Sequence, residues 1–152
     1  MATLKEKIKK IIALHGPISV SQYMTLALTD PQFGYYRTQT PFGSAGDFIT
    51  APEISQLFGE MIGIWLLASW KAHGHPHPFI IAEIGPGRGT LMSDILRTMQ
   101  KLSSTAFNSA EIFLIEISEK LAKEQKKSLA PYQKQIHLIE NFNQIPSKPL
   151  FF

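Results

Sequence analysis

The chain has 152 residues, with 15 Lys and Arg, 12 Asp and Glu, five His and no Cys. That length fits one ordinary domain, and 44% hydrophobic with 18% charged residues describes a globular core and excludes a disordered chain. Without Cys there is no disulfide scaffold, thiolate metal site or Cys nucleophile, and the formal net charge of +3 is not gathered into the Lys and Arg stripe that a nucleic-acid partner needs.

The amino terminus lacks the apolar core of a secretory signal, and with Glu6 and no Arg it makes a poor mitochondrial presequence. Leu4, Ile8, Ile11 and Ile12 fall at helical spacing between lysines, and Gly16-Pro17 stops that helix. Ser19 and Gln22 have capping-box spacing and open a second helix to about Leu28. Asp30-Pro31 then reads as a turn, Phe33 to Tyr36 as an aromatic loop and Arg37 to Asp47 as a Gly- and hydroxyl-rich loop. Thr50-Ala-Pro-Glu53 is another capping box, predicting one helix to about His73 with Gly74 as its stop. Its expected core face carries Ile54, Leu57, Phe58, Met61, Trp65 and Leu66, with Trp70 also assigned to the core. Gly59 and Gly63 would let another backbone approach. Met61 to Trp70, the most apolar stretch, is shorter than the ~20 residues that span a bilayer, so a soluble, intracellular chain is expected. His73, His75 and His77 alternate with Gly74 and Pro76 in a connector that reads as a stiff link and not as a metal site.

From Pro78 the pattern changes. Phe79 to Ile84, Ile112 to Ile115 and Ile136 to Ile139 are short apolar runs of the kind buried in parallel sheets. Between them lie a helix carrying Leu91, Met92, Ile95, Leu96, Met99 and Leu102, and another from Ser118 to about Leu129. The Lys123 to Lys127 run on that second helix, broken by Glu124, reads as a solvated face. Pro149 to Phe152 begins a fourth apolar run. The alternation predicts an α/β, Rossmann-like parallel sheet with right-handed crossovers over residues 78–152, behind a helical region over 1–75 that holds a loop at 31–50. A fourth strand pairs beside the first in such sheets. Here it would be a stub, so an incomplete sheet, the front part of a longer protein, is expected.

The strongest chemical signal is Glu83-Ile-Gly85-Pro-Gly87-Arg-Gly89-Thr90, between a strand and a helix. Glycines let the backbone turn and approach a ligand, and the helix start directs free N–H groups at the same spot. A nicotinamide fingerprint would put its third glycine at position 90, where this chain has Thr90. Glu116, ending the second apolar run, can accept both hydroxyls of a ribose. Glu83 pairs with a cofactor ammonium or hydrogen-bonds nearby backbone, and Glu140 or Asn141 can reach an adenine amine.

The Gly85, Gly87, Gly89 spacing resembles the first motif of class I S-adenosylmethionine-dependent methyltransferases. Upstream, Gly16-Pro-Ile-Ser-Val20, Tyr23-Met24, Asp30-Pro31, Gly34-Tyr-Tyr36, Phe58-Gly59 and above all Gly46-Asp-Phe-Ile-Thr-Ala-Pro-Glu-Ile54 resemble the MidA-like methyltransferase family, from about Leu4 to Phe152. The resemblance implies S-adenosyl-L-methionine as cofactor, bound by Gly85, Gly87, Gly89, Glu116 and Glu83. It also implies methyl transfer to an arginine of a protein substrate, a respiratory complex I subunit in the mitochondrial case. The implied compartment is the cytoplasm for a bacterial-type member and the mitochondrial matrix for a eukaryotic one. Asp47 and Glu53, from the signature segment, are the candidate carboxylates that orient the guanidinium and accept its proton. A turn aspartate and a capping glutamate are their plainer readings. The rival classes are a nicotinamide-dependent oxidoreductase and a non-catalytic interaction protein on a cofactor fold.

Overall fold

The computed structural model describes residues 3–39 and 49–152, which fall in two compact units, Met1–Pro41 and Phe42–Phe152. Asp47 lies outside the described residues.

In the first unit, α1 (Leu4–His15) begins with a reciprocal box between Thr3 and Glu6 and ends at Gly16, whose φ of +82° suits only glycine. The predicted Ser19–Gln22 box opens α2 (Val20–Thr29). Asp30 closes that helix. Its carboxylate takes the Lys7 ammonium and the Gln32 and Phe33 amides, and the Lys7 hydrogen bond leads in holding its pKa below the ordinary aspartate value. Gly34 sits so near that a Cβ there would lie 2.5 Å from the Asp30 nitrogen. The expected aromatic loop is instead partly a helical turn, α3 (Tyr35–Thr38), with Tyr35 and Tyr36 edge to face at 5.2 Å.

In the second unit the single helix expected from Thr50 to His73 is two, α4 (Ala51–Ile54) and α5 (Gln56–Ala72). Ser55 breaks them: its backbone is extended and its hydroxyl accepts the Leu57 amide, so it caps α5 rather than continuing α4. The expected core face of α5 is also corrected. Leu57, Met61 and Trp65 are 61%, 55% and 60% exposed, and Ile54 and Phe58 are exposed with them. The buried stripe is Gly59, Gly63, Leu66, Leu67 and Trp70. Hydrophobicity alone gives glycine no weight, yet here glycine decides which side turns inward. A Cβ on Gly59 would meet the Asp94 Cβ at 2.5 Å, and one on Gly63 the Thr98 Cβ at 3.0 Å. The close approach that the glycine pair predicted is therefore present, against α6 (Thr90–Leu102).

Strands β1 (Phe79–Ile84), β2 (Ala110–Ile115), β3 (Ile136–Ile139) and β4 (Leu150–Phe151) form a parallel sheet ordered β3-β2-β1-β4. α6 and an unpredicted short α7 (Ser104–Ser109), capped by Ser103, link β1 to β2, and α8 (Glu119–Ser128), capped by Ser118, links β2 to β3. Phe79, Ile81, Ile112 and Leu114 face Leu66, Trp70, Met92, Leu96 and Met99 in the main core. The opposite face gathers Ile80, Ala82, Phe113 and Ile115 with Ile139 and Ile145. As expected, β4 is a stub. It pairs with β1 only at Ile80–Leu150 and Ile81–Phe151.

The three connector histidines go to three different partners. His73 Nδ1 meets the Ser69 carbonyl at 2.7 Å, His75 stands edge-on to Trp70, and His77 Nδ1 meets Ser109 Oγ at 2.7 Å. No described helix is long and apolar enough to cross a membrane.

Candidate functional site

The loop after β1 is built from backbone that only glycine takes readily. Gly85, Gly87 and Gly89 have φ of +63°, +57° and +81°. Gly89 is also the N-cap of α6, so the first free amides of that helix open toward the loop. α8 holds the loop from behind. Gln125 Nε2 donates to the Gly87 carbonyl at 2.8 Å and Ser128 Oγ donates to the Arg88 carbonyl at 2.7 Å. A Cβ on Gly89 would stand 3.1 Å from Leu129, so the loop has no room to move that way.

In front of the loop lies a cavity of about 200 Å³ whose walls include Pro52, Glu53, Glu83, Gly85, Gly87 and Thr90. Glu83 is the last residue but one of β1, on the face turned to the main core. Its Oε2 is buried without a hydrogen-bond partner, and desolvation raises its pKa to about 7. A carboxylate in that state accepts a cation readily, because the cation returns what burial removed. The larger cavity, about 390 Å³ beside β3, is lined by Gln125, Lys126, Leu129, Gln133, Ile136 and Leu138. It lacks both the glycine loop and a buried carboxylate, so the smaller one is the better site.

Glu53 reaches this cavity from α4. The capping box predicted for it does not form, since Thr50 makes no side-chain cap. Glu53 Oε1 instead accepts the Thr90 hydroxyl at 2.6 Å and Oε2 lies 3.6 Å from the Arg88 guanidinium, which also lies 3.8 Å from Glu124. Thr90, read from sequence only as a missing glycine, is the anchor for that carboxylate.

Glu116 directly follows β2 and does not line the cavity. One carboxylate oxygen accepts the Ser118 amide at 2.7 Å and the other accepts Gln125 Nε2 at 3.2 Å. Each oxygen keeps a further lone pair for a ligand hydroxyl. Of the two adenine candidates, Asn141 Oδ1 caps a short turn by accepting the Asn143 amide, and the Glu140 amide donates to Gln144.

Structure thus brings Glu53, Glu83, Gly85 and Gly87 around one space, with Gly89 and Glu116 alongside. Sequence reasoning missed Gln125 and Ser128. Gln125 lies inside the lysine run assigned to solvent but is 1% exposed. Only the helical spacing of Leu121, Gln125 and Leu129 hinted at an inward position.

A family model described as "Putative S-adenosyl-L-methionine-dependent methyltransferase" matches residues 61–152. The chain is 46% identical over 135 residues to "Protein arginine methyltransferase NDUFAF7, mitochondrial" of Danio rerio, covering 88% of this chain and 32% of that protein. It is 46% identical over 123 residues to the Drosophila melanogaster homolog, with 81% and 28% covered, and 48% identical over 115 residues to the Homo sapiens protein, with 75% and 26% covered. The chain therefore spans about a third or less of the length of these curated relatives. A crystal structure from Burkholderia thailandensis bound to S-adenosyl-homocysteine superposes with a TM-score of 0.78 at 23% identity, over 97% of this chain and 39% of that one. That likeness shows the fold, and a sheet of this kind is what the strand order displays. The nicotinamide alternative, already weakened by Thr90, has no support among these matches. Matched by the family model over more than half its length, the chain belongs to the S-adenosylmethionine-dependent methyltransferase family of the MidA-like type.

Proposed function

We propose that this chain forms the cofactor-binding part of an enzyme that moves a methyl group from S-adenosylmethionine to an arginine guanidinium of a protein. The observation that carries the reading is the unpartnered Glu83 oxygen beside a glycine loop and a helix start. The amino-acid end of the cofactor has an ammonium to pair with that oxygen and a carboxylate to take free amides of α6. Gly85, Gly87 and Gly89 keep the backbone low enough for contact. Glu116 has the spare lone pairs for a ribose diol, as in other mononucleotide-binding βαβ units.

When bound, the cofactor supplies an electrophilic methyl on a sulfonium. The protein's share is alignment and exclusion of water. Glu53 and Asp47 are the proposed acceptor carboxylates. Glu53 already meets a guanidinium, that of Arg88, so its surroundings suit the same group on a substrate. A protonated guanidinium must be oriented and must lose a proton during transfer. The names of the relatives support a protein arginine as acceptor and a mitochondrial location for a eukaryotic source, the matrix being the compartment that the family resemblance implies. A complex I subunit is the acceptor that the family resemblance implies, and a bacterial-type member would work in the cytoplasm.

Ultraviolet cross-linking of methyl-labelled S-adenosylmethionine to the chain tests the reading. Label should map to the peptide holding residues 83–90, and S-adenosylhomocysteine but not NADH should suppress it. Labelling that NADH suppresses equally would contradict it.

A further inference from the structure

Gln125 is fully buried, and both hydrogens of its amide are used. One goes to the Gly87 carbonyl at 2.8 Å, the other to Glu116 Oε2 at 3.2 Å. Its orientation is unambiguous, because both neighbours are acceptors and a flipped amide would set oxygen against oxygen. The consequence is an orphan: Gln125 Oε1 is buried without a partner. Burying an amide oxygen unpaired is unfavourable. A Met of the same length would fill the space without that cost, so packing does not account for the amide. What the amide alone supplies is a fixed bridge between two pieces of chain that belong to different βα turns.

We propose that Gln125 is a positioning residue that sets the Glu116 carboxylate in register with the glycine loop, so that a nucleoside's ribose diol is recognised together with the group held at the loop. This deepens the proposed function and rests on it. Glu116 Oε1 is turned by the Ser118 amide and Oε2 by Gln125, which leaves the outward lone pairs to the ligand. Without Gln125 the carboxylate keeps one tether and can rotate about it. Gly87 loses its hold on α8 at the same time, while Ser128 still ties the neighbouring Arg88 carbonyl. The loop therefore stays near its place and the ribose contact is the one that suffers.

The test compares S-adenosylhomocysteine with its 2′,3′-dideoxy analogue by calorimetry on the 152-residue chain. Wild type should prefer the diol, and Gln125→Met should reduce that preference by about tenfold, as expected for hydrogen bonds to a charged group. The dideoxy affinity should move little. Glu116→Gln should reduce the same preference, and the double variant should lose no more than the larger single loss. Gln125→Met that folds and keeps the full preference overturns the proposal, as does an equal loss for both ligands, the mark of a merely structural role. If Gln125→Met does not fold, nuclear magnetic resonance of the wild-type Gln125 side-chain amide decides. A shift with S-adenosylhomocysteine and none with the dideoxy analogue supports the proposal, and identical responses overturn it. Wild type that binds neither ligand contradicts the functional reading itself.

Discussion

Glu83 carries the clearest consequence of a single side chain. Its proton affinity in the folded chain is raised to about 7 by desolvation, above that of an unfolded glutamate. The stability it contributes is therefore complete below the ordinary carboxylate range and is lost as pH rises through about 7. The loss has an upper bound of ~3 kcal/mol. Glu83→Gln should remove this dependence, so thermal melts without ligand should show the variant gaining on wild type between about pH 5 and pH 8. Parallel profiles would mean that water already solvates the carboxylate. The same variant should weaken S-adenosylhomocysteine by about tenfold or more through the lost ion pair and leave methylthioadenosine, which lacks the amino-acid ammonium, nearly unchanged. The glycines of the loop were plain in the sequence, because three at that spacing between strand and helix have few other uses. The emptiness around Glu83 was not plain, since burial and the lack of a partner are properties of the fold.

Among elements, α5 shows what periodicity reads and what it misses. The three strands β1, β2 and β3 and the helices α6 and α8 between them followed from short apolar runs and helical spacing, although β3, at the sheet edge, is only half-buried and the short α7 gave no such signal. On α5 two apolar faces competed, and the larger side chains lost to Gly59 and Gly63, because close approach to α6 buries backbone that a bulky face would hold away. The Arg97 guanidinium, at 2.9 Å from Glu60 and 2.8 Å from Asp94, closes the same seam at its polar edge. Alanine favours a helix over glycine, yet Gly59→Ala should destabilise by about 1–3 kcal/mol, because its Cβ has no space. Chemical denaturation measures this, and a stabilised variant would show that the helices separate at little cost. Exposure separates the two tryptophans as well: Trp70 is 4% exposed and Trp65 60%. Iodide should quench a red-shifted component that Trp65→Phe removes, whereas a single shielded emission would mean that this face of α5 is covered.

For the whole molecule, the sheet places its chemistry at one rim, where the carboxyl ends of β1 and β2 deliver Glu83, the glycine loop and Glu116. This is the rim where open parallel sheets bind ligands. Whether this rim holds S-adenosylmethionine is decided by calorimetric titration into the folded chain. Saturable binding of S-adenosylmethionine and S-adenosylhomocysteine is expected, weakened by Glu116→Ala and by Glu83→Gln, with no heat from NADH. A folded chain that binds NADH, or that binds the methyl donor equally well without either carboxylate, would contradict it.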